Sequence, residues 1–392
     1  MKPRYHRLAV LTLAGSLLCL GTTPLLHSES PKPAVLSELP EEKGPVVQIA
    51  LLLDTSGSMS GLIDQAKTQL WKVVNEFIGA EQGGKTPVVQ IALYEYGNDG
   101  LNSENHWIRE IQPLTRDLDK VSEELFSLRT NGGQEYCGAV VARALTELDW
   151  DKNPNTFKTI FIAGNEAFTQ GPVDAAQACR DAVARGITVN TIHCGNEAKG
   201  ISGKWKMGAM LADGNFTVID HNSKVAHVDA PQDKEIAELN KKLNRTYIAY
   251  GKDGAVALET QSVNDAEAEK ALGNAAPQRA VTKASANYSN ARWDVLDFCK
   301  ADTRKISEIP EADLPEELRK LSVEERISYV DAMKKERAAV QQEILALNEE
   351  RKKFVAEKRR EQTEGDAAQT LDQAIIDSVR TQAARKGVKF SQ

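Results

Sequence analysis

The chain has 392 residues, 41% of them hydrophobic, and a formal net charge of -7. That length supports one full α/β core and a substantial second element, but not several large domains. The acidic balance, with no basic stripe before the far C-terminus, excludes a surface built to wrap a phosphate backbone, so nucleic acid is not an expected partner.

Residues 1–30 have the layout of a secretory signal: Lys2, Arg4, His6 and Arg7, an apolar run from Leu8 to Leu20, then polar residues from Thr22. The run is short for a spanning helix, so membrane attachment requires an uncleaved anchor that takes in Leu25 and Leu26. Cys19 is not preceded by the small residues that a lipoprotein cleavage pocket accepts. The expected destination is the periplasm or cell envelope, or the medium. Beyond the signal lie Cys137, Cys179, Cys194 and Cys299, an even set in a chain expected to leave the reducing cytosol. No pair has CxxC spacing; the count fits either one or two disulfides or buried thiols acting as small hydrophobes. Cys137 and Cys194, each beside a glycine-containing loop, are the pair expected to lie close together and to bridge.

A Pro- and Glu-containing linker, 31–45, leads to a near-continuous apolar strand from Val46 to Leu53, the pattern of a strand buried on both faces. Leu62, Ala66, Leu70, Val73, Val74 and Phe77 then recur at helical spacing up to Gly83-Gly84. Strands follow at 88–96 and 107–111, helices at 117–128 and 139–148, and a strand at 159–163. After these come a helix at 175–184, a strand at 188–194, a helix at 205–211, a strand at 216–220 and a helix at 233–243. This alternation predicts a doubly wound, mostly parallel α/β sheet with helices on both faces. Ligands of such sheets bind at the carboxyl ends of the strands, which puts Asp54, Gly132-Gly133, residues 164–170 and Cys194-Gly195 on one rim.

Past Thr246 the pattern weakens. Residues 251–262 look short and strand-like, 266–284 are Ala-rich, and the whole of 249–313 is expected to be a connector packed on the sheet domain. From Leu314 to the C-terminus the chain is charged, with Val330, Met333, Val340, Ile344, Leu347 and Phe354 stepping by threes and fours except where Arg337 and Arg351 interrupt. That predicts a long helix with a coiled-coil-like stripe, which either docks on its own domain or pairs with a partner or a second copy. A last helix is expected over 371–384.

Asp54-Thr55-Ser56-Gly57-Ser58 sits between the first strand and the first helix, so one carboxylate and two hydroxyls converge in a single turn. Oxygen donors of this kind suit Mg²⁺, Ca²⁺ or Mn²⁺. In this setting, from Val46 to about Tyr247, the sequence resembles a von Willebrand factor type A domain and its metal-ion-dependent adhesion site. The resemblance sets a domain over 46–248 and implies that Ser56 and Ser58 ligate the ion directly while Asp54 acts mainly through water. Two positions depart from the family. Gln134, followed by Glu135, stands where a threonine is usual, and Gly164 stands where an aspartate is usual; Glu135, Glu166, Asn165 and Thr130 are the substitute donors at hand. The segments around Tyr94–Asn98, Gly133–Cys137, Ala163–Glu166 and Thr246–Gly251 are similar to an uncharacterised branch of exported bacterial proteins of this class.

The resulting expectation is an exported, non-catalytic binding protein that takes a carboxylate-bearing protein partner on the ion, with Gln134, Glu135 and Glu166 selecting the surface. The rival expectations are a scaffold assembling through its C-terminal helix, and a hydrolase. Asp-Thr-Ser-Gly is superficially similar to an aspartic-protease loop, but a long helix follows it and no second such aspartate appears. Ser56 and Ser58 lack a histidine in a recognisable arrangement, and no HExxH occurs.

Overall fold

Its nearly continuous apolar sequence sends β1 (Val46–Asp54) through the middle of a six-stranded sheet, where both faces are covered. Val47, Ile49, Leu51 and Leu53 enter one core together with α1 (Ser60–Asn75), while Ala50 and Leu52 enter a second core on the opposite face. The structure, a computed structural model, describes residues 44–220, 228–271, 275–362 and 371–390. The expected signal segment and most of the linker lie outside the described residues.

The chain continues through the two-residue β2 (Glu81–Gln82) to β3 (Val88–Tyr96), β4 (Ile108–Thr115), α2 (Leu118–Ser127) and α3 (Cys137–Glu147). Next come β5 (Phe157–Gly164), α4 (Ala175–Ala184), β6 (Thr188–Cys194), α5 (Glu197–Ser202), α6 (Trp205–Leu211) and β7 (Phe216–Ile219). The order across the sheet is β4-β3-β1-β5-β6-β7, parallel at each junction except β3 with β4. Parallel neighbours need crossovers over a face, and these lay α1 and α2 on one side and α3, α4 and α6 on the other. This is the doubly wound, mostly parallel sheet that the alternation predicts; α5 is the one helix of this region that the periodicity misses.

The C-terminal part is helical: α7 (Gln232–Asn244), α8 (Gly254–Lys270), α9 (Ala275–Lys283), α10 (Val295–Phe298), α11 (Glu316–Arg319), α12 (Val323–Gln362) and α13 (Leu371–Ala384), closed by the two-residue β8 (Val388–Lys389). The strand-like expectation for 251–262 is overturned, since the segment is a turn that enters α8 at Gly254. Its helical period is carried largely by polar residues: Gln261, Asn264 and Asp265 are buried, with Ala268, while Val256 and Val263 face solvent. A hydrophobic pattern cannot register a helix whose inward face is hydrogen-bonded. Asn264 Nδ2 donates to the Asp119 carbonyl of α2 at 3.0 Å, and Asn75 Nδ2 of α1 donates to Gln278 Oε1 of α9 at 2.8 Å. These bonds hang the helices on the sheet's own layer.

Of the two readings of the long helix, the structure shows docking on its own chain. Val330, Val340 and Ile344 of α12 are buried, and the arginines that interrupt the stripe are buried with them. Arg337 Nη1 donates to Asp294 Oδ2 at 2.6 Å, Nη2 donates to the Thr246 carbonyl at 2.6 Å, and the guanidinium lies 4.1 Å from the centre of the Tyr247 ring. Arg351 Nε donates to Asp233 Oδ1 at 2.5 Å. Asp294 is fully buried, so removing its partner strands a charge. Arg337→Ala is expected to cost roughly 3–5 kcal/mol, seen as a lower urea midpoint at unchanged slope.

The last helix forms over the range expected, but its destination was not legible. α13 lies on the sheet face that holds α1, burying Leu371, Ala374, Ile375, Val379 and Ala383 in that core, and β8 pairs antiparallel with β2. Gln382 and Asn190 of β6 exchange amide hydrogen bonds at 2.6 and 3.1 Å beneath it. Among the described residues, no helix is long and apolar enough to cross a membrane.

Candidate functional site

β1 ends at Asp54, and the turn after it is fixed by its own backbone. The Ser56 N–H donates to Asp54 Oδ1 at 2.7 Å, Met59 N–H to the Ser56 carbonyl at 3.0 Å, and Thr55 N–H to the Tyr96 carbonyl at 2.9 Å. Thr55 Oγ1 donates to Glu95 Oε2, whose other oxygen pairs with Arg109 at 2.5 Å. Asp54, Thr55 and Ser56 are therefore buried and held, while Ser58 reaches the surface. The two serine hydroxyl oxygens lie 3.4 Å apart, and Asn165 Nδ2 donates to Ser58 Oγ at 3.1 Å.

Two further loops close over this turn because two positions carry no side chain. Gly97 takes φ +80°, and a Cβ there would sit 2.7 Å from the Glu135 Cγ and 3.0 Å from Asp54 Oδ1. At Gly164 a Cβ would meet the Tyr96 hydroxyl and come within 3.0 Å of Asp54 Oδ2. The Tyr96 hydroxyl donates to the Ala163 carbonyl at 2.9 Å, and thus fills the space that a family aspartate at 164 would need. A carboxyl group does reach Asp54, from another loop, that of Glu135.

Glu135 is 7% exposed and Asp54 fully buried; their carboxyl groups interact, and Asp54 Oδ2 and Glu135 Oε2 accept no hydrogen bond from protein. Burial first, then the charges of Asp54 and Glu166, push Glu135 up to about 8. Burial likewise pushes Asp54 up to about 6, against the opposing hydrogen bonds from Ser56. Two buried acids facing each other without a positive side chain are stabilised by a proton or by a cation. Among the described residues no group of three or more His, Cys, Asp or Glu side chains gathers as a metal cluster. The donors here are instead two carboxylates, two hydroxyls and the Asn165 amide, all oxygens suited to a hard divalent cation such as Mg²⁺, Ca²⁺ or Mn²⁺.

The structure thus brings Asp54, Ser56, Ser58 and Glu135 together, with Asn165 on Ser58. Glu166 is exposed at the edge, near enough for its charge to raise Glu135, while its carbonyl accepts from Trp205 Nε1 at 2.7 Å. Gln134 is also exposed, and its amide oxygen accepts from Gln170 Nε2 at 3.4 Å. Sequence reasoning missed Tyr96 as the group that occupies the Gly164 space. Its signal was present only as a pair, a tyrosine ending one strand and a glycine ending another, and nothing in the linear order joins them.

The expected Cys137–Cys194 bridge is not formed: all four cysteines are free, buried thiols. Cys137 belongs to the core on the α3 side and Cys194 to the core on the α1 side, so the sheet separates them. Cys137 Sγ instead donates to the Tyr96 hydroxyl at 3.7 Å, and burial pushes both thiols up, which keeps them protonated.

Residues 48–201 match the family model of the von Willebrand factor type A domain. No curated protein matches the chain significantly. Solved structures similar to it include proximal thread matrix protein 1 from the mussel byssus, at 14% identity and a TM-score of 0.35, over 46% of this chain and 43% of that one. Another is the conserved hypothetical protein BatB from Bacteroides thetaiotaomicron, at 15% identity and a TM-score of 0.34, over 44% of this chain and 90% of that one. An aerotolerance-related membrane protein from Bacteroides fragilis aligns at 14% identity and a TM-score of 0.31, over 44% and 92% of the two chains. The matched segment runs from inside β1 into α5 and includes every candidate ligand, and it is a von Willebrand factor type A domain.

Proposed function

We propose that this chain is an exported, non-catalytic binding protein of the bacterial envelope, of the branch its rim segments resemble, whose type A domain recognises a protein partner through a divalent cation. The observation that carries this reading is the pair of buried carboxyl groups, Asp54 and Glu135, which interact with each other beside the serine turn and each keep one oxygen without a hydrogen-bond partner. Asp54, Ser56, Ser58 and Glu135 would hold the ion, which when bound supplies an open position that attracts a carboxylate oxygen. Asn165 orients Ser58, and exposed Gln134 and Glu166 border the position and select the surface that fits. Thr55, tied to Glu95 and Tyr96, fixes the turn, so that binding costs little rearrangement.

Calorimetry with Mg²⁺, Ca²⁺ and Mn²⁺ at millimolar concentration tests the ion. Uptake is expected in the parent, and at least ~100-fold weaker affinity in Asp54→Ala and Ser56→Ala, the upper end of the loss seen when a metal site is disturbed. Circular dichroism should be unchanged, because Asp54 is the last residue of β1 and Ser56 lies in the turn after it. Binding of envelope proteins that is lost on chelation and in both variants would extend the result to the partner. No uptake of any of the three ions would sink the proposal.

A further inference from the structure

Away from the cation site, a second group of reactive side chains is enclosed between the C-terminal helices. Lys283, the last residue of α9, is fully buried. Its Nζ contacts the side-chain oxygen of Asn244, the last residue of α7, and donates to Asp265 Oδ2 of α8 at 2.8 Å. The Asn244 Nδ2 donates to that same Asp265 oxygen at 2.7 Å. One carboxylate oxygen therefore touches both an amine and the nitrogen of the carboxamide that the amine faces.

Asp265 is held in this position from its other side. Arg279 Nε donates to Asp265 Oδ1 at 2.5 Å, and Arg279 is pinned in turn by Asp119 at 2.6 Å. Tyr247 and Tyr288, edge to face at 6.3 Å, wall the space, with Lys283 Nζ 5.9 Å from the centre of the Tyr247 ring. Water is excluded from the lysine, while Asn244 stays partly exposed and gives a small leaving group a way out.

We propose that Lys283 and Asn244 join in an intramolecular isopeptide bond, with Asp265 as the proton relay. The Nζ lone pair attacks the Asn244 Cγ; the new Nζ–Cγ bond forms and the Cγ–Nδ2 bond breaks. Of the three protons on the lysine ammonium, one stays on the new amide and two pass through Asp265 Oδ2 to Nδ2, which departs as ammonium. No oxidant, cofactor or second molecule takes part, and Asp265 ends as it began. Fixed contact of the reacting groups replaces a bimolecular encounter, the effect that makes intramolecular acyl transfers fast. The electrostatics agree with the roles. Burial pulls Lys283 down to about 8 against the opposing charge of Asp265, which makes its free amine accessible near neutral pH. Burial would raise Asp265, but Lys283 and Arg279 outweigh it and hold the carboxyl well below its usual range, so it stays ionised, hydrogen-bonded to both reacting groups, and holds a proton only in passing between them. The bond would tie α7 to α9 and clamp the polar face of α8 between them.

Intact mass spectrometry and tryptic mapping of the full chain, folded and incubated at mildly alkaline pH, test this directly. The expected result is a mass one ammonia below that of the linear chain, and a branched peptide in which Lys283 is joined to Asn244. Lys283→Arg and Asn244→Ala should abolish both signals. Asp265→Asn keeps the two reacting groups and should leave linear peptides in the same preparation, because losing a general acid–base slows such steps ~100-fold or more. Recovery of Lys283 and Asn244 from the parent in separate linear peptides, with Asn244 intact or deamidated, overturns the proposal even if every variant fails to fold. Equal cross-linking in Asp265→Asn overturns the relay.

Discussion

In cation-free buffer near pH 8, Glu135→Gln is expected to be more stable than the parent, by on the order of 2 kcal/mol after discounting for solvent at the open rim. The direction follows from proton linkage. Burial and the Asp54 charge raise Glu135 to about 8, and burial raises Asp54 to about 6, so the folded chain holds protons that the unfolded chain has released. Stability from these groups is fully present below their unfolded values, near 4, and is lost as pH rises through about 6 and then about 8. Glutamine cannot ionise, so the upper part of that loss disappears. A divalent cation should reverse the ranking: at a hundred times its dissociation constant it stabilises the parent by about 2.7 kcal/mol, while the variant, lacking a carboxylate, gains much less. Urea unfolding at mildly acidic and mildly alkaline pH, with and without Mg²⁺, Ca²⁺ or Mn²⁺, gives all the arms. A parent whose midpoint changes with neither pH nor cation would mean that the facing carboxylates are not the linked pair described here.

A chain ended after Gln362 should fail to fold as a soluble monomer, although it keeps the entire type A match and the whole of α12. Truncation removes Leu371, Ala374, Ile375, Val379 and Ala383 from one face of the sheet, together with Val388 of β8. Each large aliphatic lost from such a core is worth about 1.5–3 kcal/mol of burial, against a total domain stability of about 5–15 kcal/mol. The exposed face would be a contiguous apolar patch next to β5, β6 and β7, which predicts aggregation and dye binding with near-native secondary structure. Ile375→Ala reports the same packing in a milder form, at a cost of about 2–5 kcal/mol. A soluble, cooperatively unfolding 1–362 chain would show that α13 rests on the sheet without completing it. The same geometry bears on self-association: a truncation before Leu314 would remove part of the sheet's core as well as the long helix, so point substitutions on the exposed face of α12 separate the two effects.

At the candidate site, the turn was legible in the sequence and its neighbours were not. Asp54, Ser56 and Ser58 follow a doubly buried strand, and strand, turn and helix can be read from spacing alone because each is a local pattern. Gly164, where an aspartate is usual, registers in sequence only as a loss. In the fold Tyr96 of β3, reaching across β1, fills the space beside Gly164, and Glu135 from a third loop sets a carboxyl against Asp54. Which of Glu135, Glu166, Asn165 and Thr130 lies close to Asp54 depends on how three loops meet at one sheet edge, and no linear spacing encodes that.

The sequence by itself determined the sheet and its helices. Strand periodicity, the length of the crossovers and right-handed connection leave few arrangements open, and the doubly wound order follows from them. Tertiary structure alone decided what the C-terminal third does. Arg337 and Arg351 look like faults in an apolar stripe, yet they are its fixed points, because Asp294 and Asp233 wait for them on segments far away in the chain. α8 shows no clear apolar period, since its most buried long side chains meet partners on α2, α7 and α9 through hydrogen bonds and charge. α13 is recognisable as a helix, but that it covers β5, β6 and β7 follows from an unfilled face created by the rest of the fold. Hydrophobic patterns report which side of an element is buried; only the assembled chain states what it is buried against.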